Sequence, residues 1–198
     1  MSLKNEIIYD ILINRIGGMA MKVLIASDIH GSFYYAKELA TAIKKEKPDK
    51  IVLLGDLYYH GVRNPLPKDY APKKVANLLN TFRSKLEVVK GNCDSEVDEM
   101  VSEFPFYSSI TMNFAGKRIF FTHGHHYDMK RLPNKKIDIM IYGHVHTGWI
   151  KEQNEIIFAN PGSVSLPKQE SERSYLVLTE KSLMLKSLEG RVLQTKFL

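Results

Sequence analysis

The sequence predicts an α/β domain of two packed mixed sheets with helices outside, and three features predict it. Between residues 22 and 89, short apolar runs alternate with segments of helical periodicity, as in strand–helix–strand units with parallel strands. After Pro105 the pattern changes to short runs joined by turns such as Ala115-Gly116-Lys117 and Glu189-Gly190, which marks hairpins and a second, more antiparallel sheet. The 198 residues are 44% apolar, enough for one sizeable core, and no linker or internal repeat divides them.

Residues 1–20 are expected to form an N-terminal extension, and residues 21–198 a single domain. Ile7, Ile8, Ile11, Leu12 and Ile16 fall at helical spacing before Gly17-Gly18, which predicts a short amphipathic helix packed on the domain or on a partner subunit. The opening Met-Ser-Leu reads as a cloning remnant. Glu6, Asp10 and Arg15 interrupt the apolar core that a signal peptide needs. Residues 22–26 predict the first strand, and residues 34–46 a helix carrying Ala36, Leu39, Ala40 and Ile43 on one face. Pro48-Asp49 ends it, and residues 51–54 read as a strand buried on both sides. A loop rich in Gly, Pro and Asn spans residues 58–70. Pro72 then suits the first turn of a helix with Val75, Leu78, Leu79 and Phe82 inward. Residues 86–89 predict the third strand, 95–104 a short helix, and 110–114, 118–121, 137–141, 156–159, 175–178, 183–188 and 192–197 further strands.

The formal charge of +6 favours anionic partners in general terms. The basic residues are nevertheless dispersed in short pairs, Lys44-Lys45, Lys73-Lys74 and Lys135-Lys136, so a solvated surface is the better reading than a nucleic-acid footprint. Cys93 is the only cysteine, which excludes an intrachain disulfide and points to a cytoplasmic location. No run approaches the roughly 18–20 apolar residues of a membrane span.

Five apolar runs end in residues able to bind a metal ion. Run 23–26 leads into Asp28 and His30, 51–54 into Asp56, 86–89 into Asn92, 119–121 into His123, and 137–141 into His144 and His146. If these runs are strands of one parallel sheet, seven oxygen and nitrogen donors converge at its C-terminal edge, where open α/β sheets place their sites. That is enough for two cations, and two metals on such donors suit attack on phosphate esters, so the chain is expected to be an enzyme. In an extended segment Asp28 and His30, two residues apart, point the same way. Asp56 has two oxygens and can bridge two cations about 3.5–4 Å apart. Asn92 adds a neutral oxygen that limits the negative charge. Taken singly, an aspartate at a strand end is most often a turn former or helix cap, and a lone histidine a surface residue. Coincidence carries the argument: five of the seven histidines fall in residues 123–126 and 144–146, each segment following an apolar run.

Ser-Asp-Ile-His at 27–30, Gly-Asp at 55–56, Gly-Asn at 91–92, Thr-His-Gly at 122–124 and Gly-His-Val-His at 143–146 resemble, in order, the five signature blocks of the calcineurin-like metallophosphoesterases. Longer stretches at 60–64, 91–96, 122–125 and 160–165 are similar to the YfcE-type bacterial phosphodiesterases. The resemblance implies a four-layer α-β-β-α sandwich and a binuclear centre, with one ion held by Asp28, His30, Asp56 and His146 and the other by Asp56, Asn92, His123 and His144. It implies manganese foremost, with Zn²⁺, Fe²⁺, Ni²⁺ or Mg²⁺ as alternatives. The mechanism that follows is attack by a metal-bridging water or hydroxide on a small phosphodiester, with no side-chain nucleophile.

Many members of that family read Gly-Asn-His where this chain has Gly91-Asn92-Cys93, and that histidine is commonly assigned to protonating the leaving group or binding the phosphate. Two neighbouring cations are expected to lower the Cys93 pKa, and a thiol is no cationic acid. The substitution predicts a bias toward diesters; a buried thiol that fills space is the plain alternative. His125, two residues after His123, is a candidate substrate contact or proton donor, while His126 is expected to point away. Asp94 reads first as a cap for the helix near Ser95 and second as an orienter of a ligand imidazole. Arg63 and Asn64 are candidate phosphate contacts, and Asn160-Pro161-Gly162-Ser163 reads as a turn. Tyr34, Tyr35, Tyr58 and Tyr59 lie near the ligand loops as candidates for stacking a base, with Tyr35 and Tyr59 equally suited to the core. A metal-free binding scaffold and a nuclease are the rival functions; nucleic acid is not favoured, no membrane is implied, and a homo-oligomer stays open.

Overall fold

The structure, a computed structural model, describes residues 21–198 together with the backbone of Glu6–Asp10. The first strand, β1 (Glu6–Asp10), stands where the spacing of isoleucines predicts a helix. It pairs parallel to β6 (Ser109–Phe114), with Glu6 opposite Ser109 and Asp10 opposite Asn113. Ile7, Ile8 and Tyr9 are strand formers. The edge of β6 supplies hydrogen-bond partners that outweigh the costly nucleus of a short helix. The rest of the expected helix, with Ile11, Leu12, Ile16 and Gly17-Gly18, lies outside the described residues.

The chain then runs through β2 (Val23–Ala26), α1 (Phe33–Glu46), β3 (Lys50–Leu53), α2 (Pro72–Asn80), β4 (Leu86–Val89), α3 (Glu96–Met100) and β5 (Phe106–Tyr107) before β6. After it come β7 (Lys117–Thr122), β8 (Ile139–Tyr142), β9 (Gly148–Gln153), β10 (Ile156–Pro161), β11 (Ser174–Leu178), β12 (Ser182–Ser187) and β13 (Val192–Phe197). A seven-stranded sheet has the order β13-β12-β11-β2-β3-β4-β5, with β2 to β5 parallel. A six-stranded sheet has the order β1-β6-β7-β8-β10-β9, with β7, β8 and β10 parallel. The five donor-bearing runs are therefore not one sheet: three belong to the first and two to the second.

Strand periodicity sets the layers. On one face of the first sheet, Leu24, Ala26, Ile51, Leu53 and Val88 pack with Leu39, Ile43, Val75 and Leu79 of α1 and α2. On the other face, Val23, Ile25, Val52, Leu54 and Val89 join Ile110, Ile119, Phe121, Ile139 and Ile141 of the second sheet in one core. The outer face of the second sheet, with Phe120, Met140 and Phe158, is covered by Tyr127, Met129 and Ile137 from the segment joining β7 to β8. Among the described residues that fourth layer holds no helix, and none of the helices is long and apolar enough to cross a membrane. Packing the sheets face to face brings the C-terminal ends of β2, β3, β4, β7 and β8 to one edge. The His123 Nδ1–H donates to the Leu54 carbonyl at 2.5 Å, and the His144 N–H to Asp28 Oδ2 at 3.0 Å, each tying one sheet to the other.

Candidate metal centre

The backbone at this edge departs from the extended form that the two-residue spacing predicts. Asp28, His30, Asp56, His144 and His146 all have left-handed φ, from 50° to 69°. Each such residue costs about 1–2 kcal/mol, a cost that persists where surrounding bonds over-determine the conformation. Here Asp28 N–H donates to the Gly55 carbonyl (3.1 Å) and His30 N–H to the Asp56 carbonyl (2.9 Å). Close approach of chains does the rest. A Cβ on Gly143 would lie 2.8 Å from Asp28 Oδ2, and one on Gly91 would lie 2.5 Å from the Asp56 nitrogen.

All seven donors predicted from sequence meet, and their atoms fall into two sets. In the first, His146 Nε2 is 3.2 Å from Asp28 Oδ1, His30 Nε2 is 3.5 Å from the same oxygen and 3.7 Å from Asp56 Oδ2, and the two rings approach to 3.2 Å. In the second, His123 Nε2 is 3.5 Å from Asp56 Oδ1, 3.1 Å from Asn92 Oδ1 and 3.2 Å from His144 Nδ1. Asp56 thus presents one oxygen to each set.

The chemistry of these donors fits divalent cations. His30, His123 and His146 direct Nδ1–H to the carbonyls of Tyr59 (2.8 Å), Leu54 (2.5 Å) and Leu166 (2.7 Å). With the single proton of a neutral imidazole committed there, each Nε2 lone pair faces inward. Asp28 Oδ1 is buried and has no hydrogen-bond donor in that protonation state. Lone pairs crowded to within 3–4 Å call for a proton or a metal ion between them. Burial would raise the Asp28 carboxyl, but its hydrogen bonds with His146 and His30 outweigh it and hold Asp28 well below the usual carboxylate range. Burial works to lower His30, but Asp28, the Tyr59 carbonyl and Asp56 together raise it, so protons compete for the same lone pairs.

Cys93 is half-buried, and its N–H donates to Asp56 Oδ1 at 2.8 Å. Burial, then the charge of Asp56, pushes the thiol up to about 12, opposite to the lowering expected beside cations. Burial and the surrounding carboxylates both act against a thiolate, and bound metal would counter the carboxylates. His125 lies beside the centre, its ring 5.3 Å from His123 and 6.3 Å from His144, and packs on the exposed His126 at 3.9 Å. Burial, then His123, holds it neutral with a pKa down at about 4.

Asp94 is neither helix cap nor imidazole orienter. Its carboxylate accepts N–H bonds from Asp56 (2.8 Å), Leu57 (2.8 Å) and Gly91 (2.7 Å), clamping the turns after β3 and β4 together. Burial nonetheless raises it to about 6. The cap is Ser95, whose N–H donates to Asp98 at 2.7 Å. The turn at 160–163 is likewise part of the centre. Ser163 Oγ–H donates to the Asp28 carbonyl (2.7 Å) and Asn160 Nδ2–H to the Gly143 carbonyl (2.7 Å), both fully buried. Sequence reading missed these supports; the signal was a run of small polar residues closing an apolar strand.

A cleft of about 780 Å³ opens over the donors. Arg63 and Asn64 line it, as do Tyr59, a candidate for stacking a base, and Lys168, which no motif singled out. Asn64 shapes its turn through Nδ2–H to the His60 carbonyl at 2.8 Å. Tyr58, not Tyr59, is the core residue: its hydroxyl meets Ser102 Oγ at 2.7 Å, whereas Tyr59 is 43% exposed at the cleft.

A model of the calcineurin-like phosphoesterase superfamily domain matches residues 21–183. The chain belongs to this superfamily. This phosphoesterase is 41% identical to the phosphodiesterase YfcE of Escherichia coli K12 over 173 residues, 86% of the chain and 94% of the relative. The solved structure of YfcE, a phosphoesterase, superposes with a TM-score of 0.86 at 37% identity and covers 89% of this chain and 98% of its own. A probable metallophosphoesterase of Bacillus subtilis, YsnB, is 29% identical over 169 residues, 80% of this chain and 84% of the relative. Vps29 of Entamoeba histolytica, solved in complex with zinc, shares the fold at 20% identity and a TM-score of 0.60, over 90% of this chain and 98% of its own. The protein is therefore an enzyme, a metal-dependent phosphoesterase built as an α/β sandwich, with candidate donor groups for divalent metal at one sheet edge.

Proposed function

We propose that this phosphoesterase hydrolyses small phosphodiesters with two divalent cations, one held by Asp28, His30, Asp56 and His146 and the other by Asp56, Asn92, His123 and His144. The observation that carries the reading is Asp56, which offers Oδ2 to the first donor set and Oδ1 to the second. Bound cations supply Lewis-acid activation of water as the nucleophile and offset charge on the phosphoryl oxygens. The chain's own residues hold the donors in place. The Nδ1–H bonds to backbone carbonyls fix the imidazole tautomers, and the Asp94 clamp fixes the spacing of Asp56 and Asn92. Arg63 brings a guanidinium to the cleft for a phosphoryl oxygen, and Asn64 holds its turn. Cys93 occupies the place beside Asn92 where a charged acid would assist a poor leaving group. Diesters with good leaving groups are therefore the favoured substrates, in accord with the likeness to phosphodiesterase YfcE.

Imidazole and carboxylate donors suit manganese, zinc, iron or nickel better than magnesium, and manganese is our first candidate. A single cysteine accords with a cytoplasmic location. A nuclease would present a contiguous basic or aromatic track beside the site. Apart from the donors His144 and His146, the described cleft walls carry Arg63, Lys168 and Tyr59 of those types, which favours a small substrate.

The test is hydrolysis of bis(p-nitrophenyl) phosphate and p-nitrophenyl phosphate by metal-stripped protein, with Mn²⁺, Zn²⁺, Fe²⁺, Ni²⁺ and Mg²⁺ restored separately and Asn92→Ala as control. Metal-dependent cleavage of the diester, lost in the variant, is expected. Folded protein that stays silent with every metal would move the assignment to a binding scaffold.

A further inference from the structure

The cleft is much larger than a phosphoryl group. Its volume of about 780 Å³ lies in the range of roughly 300–1,000 Å³ that holds whole organic ligands. The substrate therefore has an arm that extends past the metal donors, and the walls indicate its chemistry. Asp56 and Asp94 are the two carboxylates on those walls, and neither is free: Asp56 belongs to the donor sets and Asp94 is saturated by three backbone N–H groups. The same walls carry two cations, Arg63 and Lys168, with no ion-pair partner among the described residues. They come from opposite sheets, Arg63 from the loop after β3 and Lys168 from the loop after β10.

Lys168 is tethered to the metal donors themselves. Its N–H donates to the His146 carbonyl at 3.0 Å, and its carbonyl accepts the Ser171 N–H at 3.0 Å. Two residues earlier, the Leu166 carbonyl accepts the His146 Nδ1–H, and the Leu166 N–H donates to Ser163 Oγ at 2.9 Å. Ser163 in turn donates to the Asp28 carbonyl. The backbone that bears Lys168 is therefore bonded to two of the seven donors, directly or through one serine. Lys168 thus lines the cleft from a fixed base, with its side chain exposed. A cation so placed, with no anion of its own to meet, suits a charge carried by the substrate.

We propose that Lys168 is a specificity-determining residue that seats a second phosphate group on the non-reacting arm of the substrate, so that the preferred diesters carry such a phosphate. The inference rests on the phosphodiesterase reading above. Its test compares thymidine 5′-(p-nitrophenyl phosphate) with the same compound phosphorylated at the 3′ oxygen, using the metal-loaded enzyme. The two differ only in the second anion.

The wild-type enzyme is expected to favour the phosphorylated diester by about tenfold in kcat/KM, expressed in KM, as one charge-assisted contact supplies. That preference should shrink as salt rises. Lys168→Ala should bring the ratio near one, Lys168→Glu should invert it, and Lys168→Arg should retain it. Equal handling of both diesters by the wild-type enzyme, or an unchanged ratio in Lys168→Ala, would overturn the inference and leave the phosphodiesterase reading standing. Failure of the wild-type enzyme to cleave either diester with any metal would overturn both.

Discussion

The turns bearing Asp28, His30 and Asp56 and the loop bearing Val62 and Arg63 leave the same edge of the same sheet, yet they are built in opposite ways. Asp28 and His30 are fully buried and Asp56 is 2% exposed, and their left-handed backbone is held by N–H bonds to neighbouring turns. Val62 is 86% exposed, Arg63 is exposed, and their turn is held by Asn64 through its own N–H and its Nδ2. The contrast separates two demands. Donor positions must survive strain and mutual repulsion, so the backbone fixes them many times over. Substrate contacts must meet a ligand that comes and goes, so long side chains supply them from a scaffold that needs few bonds.

The most severe way to break the contrast is Asp56→Asn. Losing the shared carboxylate should lower kcat/KM about a thousandfold, the equivalent of the several kcal/mol that a bound cation contributes. Metal analysis should find at least one ion missing per chain; full metal content and full activity would refute the shared role. Cys93→His, at the boundary between the two regions, should raise the ratio of monoester to diester hydrolysis by about a hundredfold if a general acid is what that place lacks. An unmoved ratio would make Cys93 a packing thiol. Ser163→Ala removes a support of Asp28 without touching a donor atom and should weaken metal binding about tenfold in a titration. Val62→Ser, on the rim, should change stability by no more than about 0.5 kcal/mol and leave metal binding alone. If the two variants behave alike, the division into buttressed turns and free rim is wrong.

The smallest effect on the site is expected from Glu46→Gln, at the far end of α1. Glu46 accepts hydrogen bonds from Lys186, from the Tyr175 hydroxyl (3.1 Å) and from Lys22 (3.3 Å). Burial would raise its carboxyl, and Lys186 with the other donors outweighs burial and holds it below the ordinary value of 4.5. A carboxyl depressed on folding adds stability above its unfolded pKa and loses it as pH falls through the folded value. Glu46→Gln should therefore cost about 2 kcal/mol at pH 7 in urea unfolding. The gap from wild type should close toward pH 3, with metal affinity unchanged. A gap that does not depend on pH would assign the loss to packing.

Much of the fold was legible because its signals are local. Alternating runs marked β2, β3, β4 and β7, Pro72 marked the first turn of α2, and short motifs after strand ends marked Asp28, His30, Asp56, Asn92, His123, His144 and His146. What escaped was decided by partners distant in sequence. Glu6–Asp10 became a strand because its hydrogen-bond partner is β6, about a hundred residues on. Asp94 resembled a cap because Ser95 follows it, but two of its three donors are Asp56 and Leu57. Lys168 carried no motif at all.

By itself the sequence determined which side chains can donate to a metal and which short runs become strands, because residue chemistry and two-residue periodicity need no knowledge of the rest of the chain. The tertiary structure decided how these donors come together, in two sets that share the Asp56 carboxylate. That arrangement depends on two sheets ending at a common edge and on left-handed turns, whose cost is met by hydrogen bonds from segments up to 137 residues away.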